Sequence, residues 1–116
     1  MDKERFRKYE LQAKILKALG HPTRLLIVDE LCRKEHCVCE LTDMVGADTS
    51  TVSKHLSVLK DAGIVGIEKR GTNVYYSLKI LCTATFLSCT RDVIQARSRE
   101  QMHLMKGMQT GSRRNE

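Results

Sequence analysis

A chain of 116 residues carries one domain's worth of sequence, enough to bury a core that needs no staple to hold it. Hydrophobic residues make up 41% and charged residues 29%, and no apolar run nears the ~18 residues of a membrane span, which argues against a membrane protein. The net charge of +6 favours a polyanionic partner.

The N-terminal MDKERFRKYE is charged from its second residue, against a secretory signal, and a cytoplasmic chain with reduced thiols is expected. Five cysteines at irregular spacing then point to metal or redox chemistry rather than to a disulfide framework. A single domain is expected over residues 1–106, followed by a polar, flexible tail over 107–116.

In chain order, apolar residues at three-and-four spacing predict an amphipathic helix over residues 6–19, stopped by Gly20. Pro22, the only proline, suits the first turn of a second helix, which carries the apolar run 25–31. A short third helix is predicted over 40–45, ended by Gly46. Asp48 or Thr49 caps a fourth, with Val52, Leu56 and Leu59 as its buried stripe and Gly63 as a left-handed stop. The period then changes from 3.6 to 2. Val65 and Ile67 face inward on one strand, Val74, Tyr76 and Leu78 on the next, and KRGTN turns between them. Helical spacing resumes over 81–105. The fold class expected is mainly α with a small β-hairpin, in the order of a winged helix-turn-helix, whose later helix enters the major groove while the hairpin touches flanking backbone.

Stepping ~100° per residue from the buried stripe of the fourth helix puts Ser50, Ser53, Lys54 and Ser57 on or near its outer face. Short hydroxyls and one lysine let a helix sit close to base edges and phosphates. The turn adds Lys69 and Arg70 on a flexible tip suited to phosphate contact, with Asn73 as a further polar contact. Taken singly, each feature reads as a solvated face; together at this spacing they describe a surface for double-stranded DNA.

The stretches LGHPTRLLIVDEL, CVCEL, TSTVSKHLSVLKDAGIV and KRGTNVYYSL, in this order, resemble the ArsR/SmtB family of metal-sensing bacterial repressors. The resemblance spans residues 13–78 in motifs and the rest in layout. It implies a homodimer paired through its first and last helices that represses an operon until an inducer binds. The family's DNA-contact positions fall on Thr49, Ser50, Ser53 and Lys54, which adds Thr49 to the face reached from helix geometry.

Cys37 and Cys39, a Cys-Val-Cys pair of the arsenic-sensor type, place two thiols close enough to share one soft ion. A third thiolate would make the pyramidal site suited to As(III) or Sb(III), the favoured inducers; a fourth would make a tetrahedral site for Zn(II) or Cd(II), and Pb(II) is also thiophilic. Cys82 and Cys89 are the further candidates. Seven residues apart, they stand ~10.5 Å apart along an ideal helix and cannot share an ion unless the helix begins after Cys82 or is distorted there. The second wing strand, whose end at Leu78 leads to Cys82, is expected to pair with the segment before the third helix and so to bring Cys82 towards Cys37. Cys82 and Cys89 read equally as packing residues. Cys32, at the end of an apolar helix, reads as core.

Two departures from the family pattern stand out. Asp43 and Met44 fill the region where arsenic-responsive members often have a further cysteine, and the N-terminal arm lacks the cysteines of cadmium and lead sensors. Asp92 and His103 do not reproduce the spacing of the zinc site on the last helix, and none of the four histidines is assigned to metal. The remaining ligands must come from Cys32, the last helix or the partner subunit. The competing reading on the same scaffold is a repressor switched by thiol oxidation or persulfide. An enzyme is not expected, because no His with Asp or Asn accompanies any cysteine in a recognisable catalytic arrangement and no cofactor loop is present.

Overall fold

The structure, a computed structural model, describes residues 1–80 and 82–110. The chain divides into two compact units, Met1–Thr83 and the part from Ala84 onward.

The first unit opens with α1 (Lys3–Leu19), whose N-terminus is capped by the Asp2 carboxylate accepting the Arg5 N–H at 2.8 Å. Only Ala18 and Leu19 of this helix are buried. Gly20 ends it, and α2 (Pro22–Arg33) starts with proline in its first turn and the His21 ring nitrogen Nδ1 accepting the Thr23 N–H at 3.1 Å. Ile27, Val28 and Leu31 of α2 enter the core.

A two-residue strand, β1 (His36–Cys37), leads into α3 (Val38–Val45), which ends at Gly46 in the left-handed conformation, φ 75°. Asp48 then caps α4 (Thr49–Asp61) by accepting the Thr51 N–H at 3.0 Å. Val52, Leu56 and Leu59 are fully buried, as their period requires, and Gly63 stops the helix with φ +81°. α3 packs against α4, and both pack on α2.

β2 (Val65–Arg70) and β3 (Asn73–Leu78) form the hairpin, with Arg70 opposite Asn73 and Val65 opposite Leu78. β1 pairs antiparallel with β3, so the expected hairpin is the larger part of a three-stranded sheet of order β1-β3-β2. The loop is only Gly71-Thr72, with φ positive at Gly71 alone, as in a type II′ turn.

Three expectations are corrected. α3 starts at Val38 rather than at residue 40, because Cys37 caps it; Cys39 therefore lies inside its first turn. Ile67, expected inward with Val65, is 43% exposed, because the hairpin leaves the helices behind after Val65 and no second layer covers it. Lys69 and Arg70 belong to β2 rather than to the turn.

Over its described residues the second unit is the helix α5 (Cys82–Thr110), which begins within the first unit. The helix runs on into the tail expected from 107; the rest of that tail, 111–116, and Leu81, the expected first residue of the last helix, lie outside the described residues.

Candidate functional site

Burial of one stripe fixes the rotation of α4. With Val52, Leu56 and Leu59 turned in, Thr49, Ser50, Ser53, Lys54 and Ser57 are all exposed, in the arrangement the sequence implies. His55, a lone histidine in the sequence, anchors this helix. Arg24 Nη1 lies 3.2 Å from His55 Nδ1, and Arg24 Nε donates to the Ala18 carbonyl at 2.6 Å. The His21 and His55 rings lie 4.5 Å apart between centroids. Arginine has no acceptor, so His55 must accept through an unprotonated Nδ1; His21 Nδ1 likewise accepts from a backbone N–H. Burial pushes the His55 pKa down, and the neighbouring His21 and Arg24 push it further the same way. These contacts tie the end of α1, the start of α2 and the middle of α4 together. The HPTR motif and the histidine of SKHL carry the signal, but nothing in their spacing announces the contact.

On the wing, Lys69 and Asn73 are exposed. Arg70 is not on a free tip. Its guanidinium donates to both carboxylate oxygens of Glu35 and, through Nε and Nη2, to Glu68 Oε1 at 3.2 and 2.6 Å. It also lies over the Tyr75 ring, 4.7 Å from the centroid. The hydrogen bond from Arg70 lowers the Glu35 pKa, and both carboxylates hold Arg70 more firmly charged.

Cys37 and Cys39 meet at the head of α3. The Cys37 thiol takes the N-cap position of a capping box: its sulfur accepts the Glu40 N–H while Glu40 Oε1 accepts the Cys37 N–H at 3.0 Å. Cys37 is 7% exposed, Cys39 exposed. A hydrogen bond between the two thiols is the main reason the Cys37 pKa lies above the ordinary thiol value, against the pull of the Glu40 N–H. Two thiols one residue apart at the head of one helix are soft donors, so the pair suits a soft metal or metalloid. Thr49, Thr72, Asn73 and Val74 line the same cleft as Cys37, Val38 and Cys39. The thiol pair therefore opens onto the start of α4 and the base of the wing turn.

Cys82, the first residue of α5, is exposed; Cys89 is exposed in the second unit; Cys32 is half-buried in α2. Among the described residues of the first unit, no third His, Cys, Asp or Glu completes a metal-holding group with the pair. His36 is a further buried residue beside the pair that no pattern in the sequence singles out. It is 3% exposed, its Nδ1 stands 3.5 Å from Glu40 Oε1, and neither ring nitrogen makes a hydrogen bond.

Residues 21–66 match the family of bacterial regulatory proteins described as the arsR family. An uncharacterized HTH-type transcriptional regulator of Methanocaldococcus jannaschii is 48% identical over 71 residues, 60% of this chain and 80% of that one. The arsenical resistance operon repressor of Bacillus subtilis is 42% identical over 76 residues, covering 65% of this chain and 70% of its own. Among solved structures, the homodimeric winged helix-turn-helix DNA-binding domain of a possible ArsR-family regulator from Mycobacterium bovis superposes with a TM-score of 0.76 at 25% identity, over 86% of this chain and 93% of that one.

Proposed function

The chain belongs to the arsR family of bacterial regulatory proteins, and we propose that it is a cytoplasmic transcriptional repressor that grips double-stranded operator DNA as a homodimer and releases it when a thiophilic ion binds Cys37 and Cys39. Thr49, Ser50, Ser53, Lys54 and Ser57 meet the major groove, and the wing contacts the flanking backbone through Lys69 and Asn73. Exposed apolar side chains on α1 (Phe6, Tyr9, Leu11, Ile15) and on α5 (Val93, Ile94) support pairing through these helices, as does the homodimeric M. bovis relative. No helix among the described residues is long and apolar enough to cross a membrane.

The observation that carries the reading is the shared cleft: the two thiols and the DNA-facing Thr49 and Asn73 line one opening. Binding an ion there releases thiol protons and re-aims the side chain that caps α3, and α3 packs on α4. An ion can shift DNA affinity only if it prefers one of the two arrangements. As(III) or Sb(III) is favoured over Cd(II), Pb(II) or Zn(II), with Cys82 or Cys89 of the partner chain completing the thiolate set. The arsenical resistance repressor among the relatives supports this preference.

The test is a titration of reduced protein with As(III), Cd(II) and Zn(II), following thiolate absorption and release of a labelled operator fragment together. A bound ion with the other thiols still reduced, at the concentration that frees DNA, is the expected result. Loss of free thiols with no ion bound would replace the reading by a redox switch.

A further inference from the structure

Arg70 reads from sequence as a phosphate contact, but its surroundings are wrong for one. Two carboxylates, Glu35 and Glu68, flank its single positive charge, leaving the cluster net negative, and the Glu35 pairing uses both oxygens and two guanidinium nitrogens. A phosphate arriving from DNA would have to displace Glu35. The exposed pair, 44% and 40% accessible at Arg70 and Glu35, adds little to overall stability, since water screens it. What such a bidentate pair supplies is geometry.

The partners of Arg70 all lead back to the thiol pair. Glu35 directly precedes β1 and stands two residues before Cys37. Tyr75, under the guanidinium, is the backbone partner of Cys37 on one side of β3 and of Glu68 on the other. Two routes therefore join Cys37 to the end of β2: along the chain through His36 and Glu35, and across the sheet through Tyr75.

We propose that Arg70 is a positioning residue, a strut that transmits the placement of Cys37 to the wing, and not a phosphate ligand. This rests on the reading that Cys37 and Cys39 take the inducer. When an ion re-aims Cys37, the start of β1 moves with it, and the Glu35–Arg70 pair carries that movement into the DNA-facing end of the hairpin. With the strut cut, the ion still binds but the wing no longer follows.

The experiment uses the full chain with Glu35→Gln, Arg70→Gln and both together. Three quantities are read: As(III) binding by thiolate absorption, operator affinity with and without As(III), and, with no ion present, the rate of Cys37 alkylation by iodoacetamide mapped by mass spectrometry. Expected are wild-type As(III) affinity, unchanged operator affinity in the absence of ion, and an ion-driven loss of DNA binding reduced by roughly 5-fold or more, the lower edge of ordinary coupling between sites. The double variant should be no worse than either single one, because both cut the same connection. Cys37 alkylation should speed up several-fold in all three. Arg70→Gln weakening operator binding at every sequence with a shallower salt dependence, while the ion still releases DNA normally, would make Arg70 a phosphate contact after all. Unchanged alkylation would show that the pair does not hold β1. The alkylation reading stands even if wild-type protein takes up no As(III), an outcome that would defeat the inducer assignment separately.

Discussion

Arg24 Nη1 and His55 Nδ1 stand 3.2 Å apart, joining the first turns of α2 to the middle of α4 across 31 residues of sequence. The contact needs a neutral His55 ring, because a protonated Nδ1 would oppose the guanidinium. Burial lowers the His55 pKa first, and the charges of His21 and Arg24 lower it further. A histidine whose folded pKa lies below its unfolded value of about 6.5 stabilises the fold fully above that pH and loses the contribution as pH falls through the folded pKa. Urea denaturation of wild type and His55→Gln between pH 7.5 and 5 should therefore show the wild type losing more stability on acidification below about 6.5. Parallel pH curves for the two proteins would remove His55 from this role.

The two faces of α4 should separate by experiment. Leu56 is completely buried, so Leu56→Ala should cost about 2–5 kcal/mol in denaturant unfolding. Ser57 is exposed, and Ser57→Ala should change stability by no more than about 0.5 kcal/mol while weakening operator binding. The reverse pattern would mean that the helix is rotated about its axis relative to this structure.

Much of this face is legible in the sequence because its determinants are local. Asp48 is an ordinary helix cap, and Val52, Leu56 and Leu59 keep the helical period without interruption. The start of α3 is harder to place, because cysteine is an unusual cap and Val38-Cys39 carries no polar signature of a first turn. The wing escapes the sequence for a different reason. Whether Ile67 is covered and whether Arg70 is free depend on residues outside the hairpin, Glu35 among them, and no short-range pattern encodes that. The thiol pair is visible as a motif, but its opening beside Thr49 and Asn73 is a product of the three-dimensional packing.

Direct reading and backbone contact should also come apart. Lys69 is exposed on β2, and the proposed function assigns it a phosphate contact that reads no bases. Lys69→Ala should weaken binding at all sequences and lower the slope of log affinity against log salt by about one for each phosphate that the lysine neutralises. Ser53→Ala and Lys54→Ala should instead change which operator variants are preferred, as read by competition among substituted sites. An unchanged salt slope for Lys69→Ala would place this lysine away from the backbone.

The role of Cys37 in holding α3 makes the serine substitution unusually informative. Serine is a better N-cap than cysteine and can accept the same Glu40 N–H, so Cys37→Ser with Cys39→Ser should keep the helix and the capping box. Fold, dimerisation and operator affinity should accordingly stay near wild type, so that unfolding is not the cause of a missing response. The hydroxyls cannot replace thiolates for a soft ion. As(III) should then fail to release the operator, abolishing a coupling expected at roughly 5–150-fold in DNA affinity. Cys32→Ser, in the half-buried position on α2, should retain the response. Gel-shift titrations of the three proteins with As(III) at fixed DNA decide the matter: a double variant that still releases the operator at wild-type As(III) concentrations would put the inducer elsewhere on the chain.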